Sequence, residues 1–159
     1  MHVPEPKAVI RPLRDDEYDG FIARGMAFYV EDMVRAGIDR DVAQAKADKD
    51  LPQLLSEGLA TPNHHMYAIE DDGRFAGYLW LCDRDGELGH SLFVYAVEID
   101  EQFRGRGLGR AAMEFAEQEA QRLGIGKVAL NVFGGNDVAR GLYLSLGYTE
   151  TAVHMEKRV

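Results

Sequence analysis

Two periodicities divide the chain. In its first third, Tyr18, Phe21, Ile22, Gly25, Met26, Phe28 and Tyr29 recur at spacings that form one stripe, predicting a helix that Asp15 or Asp16 can cap and Gly37 stops. Before it, Ala8-Val9-Ile10 reads as a short strand ended by Pro12. A charged second helix runs from about Asp39 through Lys49 with Val42, Ala43 and Ala45 as its apolar residues. Pro52 interrupts it, and Leu51, Leu54, Leu55 and Leu59 continue at helical spacing. The period then changes to two. Residues 66–69 and 75–82 flank Asp71-Asp72-Gly73 as a hairpin, residues 83–86 form a second turn, and 88–99 form a long third strand, so the three build an antiparallel meander. Leu108, Ala112, Phe115, Ala116, Ala120 and Leu123 restore the helical step up to Gly124, and 127–133 alternates again. Strand, helix and strand make a β-α-β crossover with parallel flanking strands. Asn136 can cap a last short helix carrying Val138, Ala139, Leu142 and Leu146, Gly147 ends it, and 148–157 closes the chain as a strand.

The 159 residues suit a single domain spanning 1–159, of mixed α/β (α+β) class, and 46% hydrophobic with 28% charged residues is ordinary for a soluble fold. Met1-His2-Val3-Pro4-Glu5-Pro6 has neither a basic start nor an apolar block, and no window is long and apolar enough for a membrane span. A cytoplasmic protein without membrane partners is expected. Cys82 is the only cysteine, so no internal disulfide and no thiolate metal site is expected. A net charge of −9 argues against nonspecific nucleic-acid binding and suits a cationic small partner.

The stretch Arg104-Gly105-Arg106-Gly107-Leu108-Gly109 carries the most specific chemistry, because it lies between the third strand and a helix start. Its glycines let a ligand approach the backbone, the first-turn N–H groups are unpaired donors, and Arg104, Arg106 and Arg110 add charge. The helix dipole contributes roughly 0.3–1 kcal/mol per nearby anion. A diphosphate cradle follows. A dinucleotide-binding unit would place its glycines after the first strand, with an acid about 20 residues on, and this order does not occur here.

With the downstream residues Asn136, Ala139, Leu142, Tyr143, Gly147 and Tyr148, the positions Arg104, Gly107 and Gly109 make a pattern that resembles the GCN5-related N-acetyltransferase (GNAT) family. The detailed match covers about a third of the chain. The resemblance implies a splayed mixed sheet flanked by helices, with acetyl-CoA in the gap between the strand ending at Ile99 and the strand beginning at Lys127. Backbone groups of Val97, Glu98 and Ile99 would pair with the pantetheine arm, and the pyrophosphate would sit over Gly105, Arg106, Gly107, Leu108, Gly109 and Arg110. Asn136 would contact the cofactor near the pantetheine.

The implied activity is acetyl transfer to a primary amine of a small molecule or peptide by direct attack; the alternative is a catalytically weak acyl-CoA-binding sensor. Tyr143 matches the family's donor to the leaving sulfur. Full transfer from a phenol to such a thiolate runs uphill by roughly 2 kcal/mol, so a strengthening hydrogen bond suffices. Ribosomal-protein acetyltransferases of the family carry a glutamate where this chain has Asn131, which cannot accept a proton. Glu98 and Tyr95 remain as bases, and a bulge in their strand would alter their aim. Loop histidines such as His64, His65 and His90 read as solvated. Phe28, Tyr29, Glu31 and Asp32, with Tyr95 and Asn131, are the candidate acceptor contacts. Homodimer formation stays open.

Overall fold

The computed structural model describes residues 8–159; Met1 to Pro6, used above for the targeting expectation, lie outside them. Strands β1 (Ala8–Pro12), β2 (His64–Asp71), β3 (Arg74–Gly86), β4 (Gly89–Ile99) and β5 (Val128–Leu130) form one sheet in chain order. The first four pair antiparallel and β5 pairs parallel to β4, as the meander and crossover predict. Helices α1 (Tyr18–Arg35) and α2 (Arg40–Leu54) lie between β1 and β2 in sequence, α3 (Leu108–Arg122) between β4 and β5, and α4 (Asp137–Ser145) after β5. Among the described residues no helix is long and apolar enough to cross a membrane.

The sheet separates two cores. On one face Ile69, Leu79, Leu81, Leu92 and Val94 pack against Leu108, Ala112, Met113 and Ala116 of α3. On the other, Met66, Ala68, Tyr78 and Trp80 meet Phe21, Val30 and Met33 of α1 and Ala43, Ala47 and Leu51 of α2. The fully buried Leu79, Leu81 and Leu92 each contribute roughly 1.5–3 kcal/mol relative to an exposed position. Met113 enters the α3 stripe, whereas Leu123 stays 38% exposed beside the Gly124 cap.

Two departures from strict pairing position the site. β4 carries a bulge: Trp80 pairs with Ala96 but Leu81 pairs with Val94, so Tyr95 is the extra residue. It flips the alternation, placing Val94 and Val97 on the α3 face and Tyr95, Ala96 and Glu98 on the α1–α2 face. In addition, β5 pairs with β4 only at residues 92–94, and residues 95–99 have no β5 partner. That is the predicted splay.

Several local expectations are corrected. Residues 83–86 are not a turn; β3 continues to Gly86, opposite Gly89, and only Glu87 and Leu88 cross over. The Asp72-Gly73 turn is as expected, with both residues at positive φ. Pro52 does not end α2, because it lies exposed in the last turn, where only the carbonyl four residues back loses its partner. Asp15 and Asp16 do not cap α1: they sit in a preceding 3₁₀ turn, Asp15–Glu17, held by Glu17 bonding to the Arg14 N–H and to Arg11. The strand expected over 127–133 is cut to Val128–Leu130 by the splay. Residues 148–157 form no strand: they pair with no strand among the described residues, and Val153 and Met155 are left 68% and 85% exposed.

Candidate active site

The glycine loop is held from behind. A 3₁₀ turn, Glu101–Phe103, ends β4, and the buried Phe103 ring, with Arg74 4.9 Å above it, anchors the entry. Gly105 and Gly107 have φ of 74° and 80°, which a side chain rarely adopts, and a Cβ on Gly105 would meet no atom within 4 Å, leaving open space above the backbone. Gly107 caps α3 without a side-chain bond, no acid lies in the first turn, and the first helical bond is Ala111 N–H to Gly107 C=O. The N–H groups of Leu108, Gly109 and Arg110 therefore precede the intrahelical ladder and suit an anion. Gly109 serves packing: its Cβ would lie 3.3 Å from Leu142 of α4.

All three loop arginines have internal partners. Arg104 Nε donates to the Ile99 carbonyl at 3.1 Å, and Arg110 Nη2 donates to Ser145 Oγ at 2.7 Å, linking α3 to α4. Arg106 Nη2 lies 2.8 Å from Asp71 Oδ2, a contact of charges without hydrogen-bond alignment. Asp71 is 1% exposed, so Arg106 neutralises a buried carboxylate while its own side chain stays 46% exposed. The sequence offered no pattern joining Asp71 to the loop.

The bulge brings Glu98 under α1. Glu98 is 8% exposed, its Oε2 has no hydrogen-bond partner among the described residues, and β3 presses against its backbone: a Cβ at the facing Gly77 would overlap the Glu98 carbonyl. Burial pushes its carboxyl up to about 7; Arg24 pulls downward, and Asp32 and Asp100 push upward. Arg24 is itself committed, ion-paired to Asp100 with its guanidinium 5.3 Å from the Tyr78 ring centroid and 5.8 Å from that of Phe75. Neither Arg24 nor Asp100 was singled out from sequence. The only prior signal was the four-residue spacing of Arg24, Phe28 and Asp32, which puts them on one stripe of α1.

Asn136 caps α4, its Oδ1 accepting from Ala139 N–H at 3.2 Å. At the other end Gly147 N–H donates to Leu144 C=O and Tyr148 N–H to Tyr143 C=O, the latter at 3.0 Å, with Gly147 at φ 91°: a Schellman closure. Tyr143 is partly buried; desolvation first, then the charge of Asp32, raises its hydroxyl pKa.

The acceptor candidates separate. Glu31 Oε1 is taken by Arg40 at 2.6 Å, and Tyr29 donates to Asp50 of α2 at 3.2 Å, so both hold α1 to α2. Asp32 is partly buried with only an Arg35 contact at 3.4 Å, and its charge is felt at both Glu98 and Tyr143. Phe28 shares its stripe. Asn131 is exposed just past β5. Tyr95 is embedded in a cluster: its ring stacks on Trp80 with centroids 4.7 Å apart and on His64 at 5.7 Å, and its hydroxyl accepts from Arg84 at 2.9 Å. His64 is not merely solvated, because Trp80 Nε1 donates to its Nδ1 at 2.9 Å, which leaves the neutral ring's proton on Nε2. His90 lies between Asp83 at 2.8 Å and Asp85 at 2.7 Å.

This arrangement has relatives. Residues 27–148 match the acetyltransferase (GNAT) family. The uncharacterized N-acetyltransferase YycN of Bacillus subtilis is 30% identical over 154 residues, covering 95% of this chain and 98% of its own length. The crystal structure of YycN superposes with a TM-score of 0.88 over 96% of this chain and 99% of that one. A mycothiol acetyltransferase from Beutenbergia cavernae is 36% identical over 93 residues, 57% of this chain and 30% of that protein. Aminoglycoside N-acetyltransferase AAC(6')-Iy, solved with a bisubstrate analogue of coenzyme A, shares the fold at TM-score 0.63 and 15% identity over 96% of this chain and 97% of its own. The uncapped glycine loop, the splayed fourth strand and the Tyr143 helix thus belong to a known scaffold: the chain is an acetyltransferase of the GNAT family.

Proposed function

We propose that the protein transfers an acetyl group from acetyl-CoA to a primary amine of a small molecule or peptide, with Glu98 as the base and Tyr143 as the acid. The observation that carries this is the buried Glu98 carboxyl, unpartnered at Oε2 and raised to about 7, on the strand that parts from β5. A carboxyl near neutrality is ionised in part of the population and can still hold the proton it removes.

The residues present fit the cofactor. The N–H groups of Leu108, Gly109 and Arg110 and the open space at Gly105 suit a diphosphate, and the unpaired edge of 95–99, through Val97, Glu98 and Ile99, suits the amides of the pantetheine arm. When bound, acetyl-CoA supplies the acetyl group as a thioester and leaves as the thiol. Glu98 takes the proton that an incoming ammonium must lose before its nitrogen has a free lone pair. Tyr143, kept protonated by burial, is the O–H donor for the charge that would develop on the departing sulfur. Asn136, fixed by its cap bond, stands at the head of the same helix.

Thiol release from acetyl-CoA, followed across a mixed panel of amines, tests the reading. Turnover with at least one amine is expected. Tight coenzyme binding by calorimetry without turnover of any amine would replace it with an acyl-CoA-binding sensor.

A further inference from the structure

Resting on the reading of Glu98 as the base, the geometry points to an acceptor that is a small diamine, its reacting nitrogen at Glu98 and its second ammonium held by Asp32. The charges of Asp32 on α1 and of Asp100 after β4 both bear on the buried Glu98, and the cation that bears on it with them, Arg24, is spent on its ion pair with Asp100. Among the described residues the Asp32 carboxylate keeps only the 3.4 Å contact with the surface residue Arg35, whose side chain is 70% exposed. Among the described residues the buried Oε2 of Glu98 has no hydrogen-bond partner. A surplus of negative charge around an unpartnered buried oxygen selects a cation.

A monoamine meets only half of this demand. It arrives charged, but once its proton passes to Glu98 it is neutral, and Asp32 is left again with only its exposed Arg35 partner. A second ammonium stays charged throughout, so its attraction to Asp32 persists when the first nitrogen reacts. Phe28 lies one helical turn before Asp32 on the same stripe of α1, where an aromatic face suits the methylenes between two nitrogens. Glu31 and Tyr29 cannot share this role, being engaged by Arg40 and Asp50.

The test is calorimetric binding of matched pairs to the full chain loaded with coenzyme A at pH 7: 1,3-diaminopropane against 1-aminopropane, 1,4-diaminobutane against 1-aminobutane, and 1,5-diaminopentane against 1-aminopentane. At least one diamine should bind tenfold or more tightly than its partner. Asp32→Asn should reduce that ratio to below threefold, and Asp48→Asn, which removes the same charge from the exposed side of α2, should retain it. Equal affinities within every pair for the wild-type chain, or an undiminished preference in Asp32→Asn, overturns the proposal. The wild-type comparison needs no variant to fold. Because binding is read without turnover, a diamine preference with no thiol release would sink the acetyl-transfer reading and keep the binding site.

Discussion

Tyr148 donates its backbone N–H to the carbonyl of Tyr143 at 3.0 Å and places its ring centroid 6.0 Å from that of Tyr143. The Gly-Tyr pair after α4 is therefore a helix stop whose hydrophobic contact is the proposed acid itself. Gly147→Ala strains a residue at φ 91° and should cost on the order of 1 kcal/mol in stability. It should also lower kcat, because the ring that Tyr148 supports moves with the cap. Denaturant titration and steady-state rates check both; a stability loss with unchanged kcat would separate the cap from the acid.

Tyr143→Phe keeps the ring contact and removes the O–H. Turnover should fall roughly ten- to a thousandfold with cofactor affinity nearly intact, since only charge developing in the reaction loses its partner. An equal loss in binding would mean that Tyr143 only packs.

Glu98→Gln preserves shape but not basicity. The rate should drop most below the acceptor's own pKa and recover as pH rises, because a free amine needs no deprotonation before it attacks. A pH profile parallel to the wild type would leave Glu98 a structural role.

The same substitution has a signature in stability. The folded-state pKa of Glu98 is raised to about 7, above its unfolded value, so its contribution to stability is fully present below the unfolded pKa and lost as pH climbs through 7. Glu98→Gln should remove this loss and be more stable than wild type above pH 7, by on the order of 2 kcal/mol. Thermal melts at pH 5 and pH 8 give the comparison, and a variant less stable at pH 8 contradicts it.

Arg24→Gln removes the one charge that pulls the Glu98 pKa down and frees Asp100 to push it up. The acid limb of the rate profile should move to higher pH. A fall in rate at all pH values with no shift of the limb would show that Arg24 matters through packing on Phe75 and Tyr78 alone.

Gly107→Val should abolish acetyl-CoA binding before it unfolds the domain, since a branched side chain disfavours the φ of 80° that opens α3 and crowds its first N–H groups. Calorimetry showing unchanged affinity in a folded variant would remove the cradle.

What the sequence disclosed about this molecule was local. The Asp-Gly turn, the glycine loop before α3 and the Asn136 and Gly147 stops of α4 are each written within a few residues, and each is found. Glu98 and Asp32 were legible as candidates, but the contacts that sort the site join separate elements: Arg24 of α1 to Asp100 after β4, Arg106 to Asp71 of β2, and Glu31 of α1 to Arg40 of α2. One extra residue in β4 decides which way Glu98 faces, and alternation alone points it the other way. The missing last strand shows the converse limit, since a strand depends on a neighbour to pair with and not on its own pattern.

Trp80 is the chain's single tryptophan, and its indole both donates to His64 and stacks on the residue that makes the β4 bulge. Nature has in effect placed a fluorophore against the bulge of the strand beside which the cofactor is proposed to lie. Its emission is an unlabelled optical signal for any shift of that bulge, readable in a stopped-flow cell before a single acceptor is known.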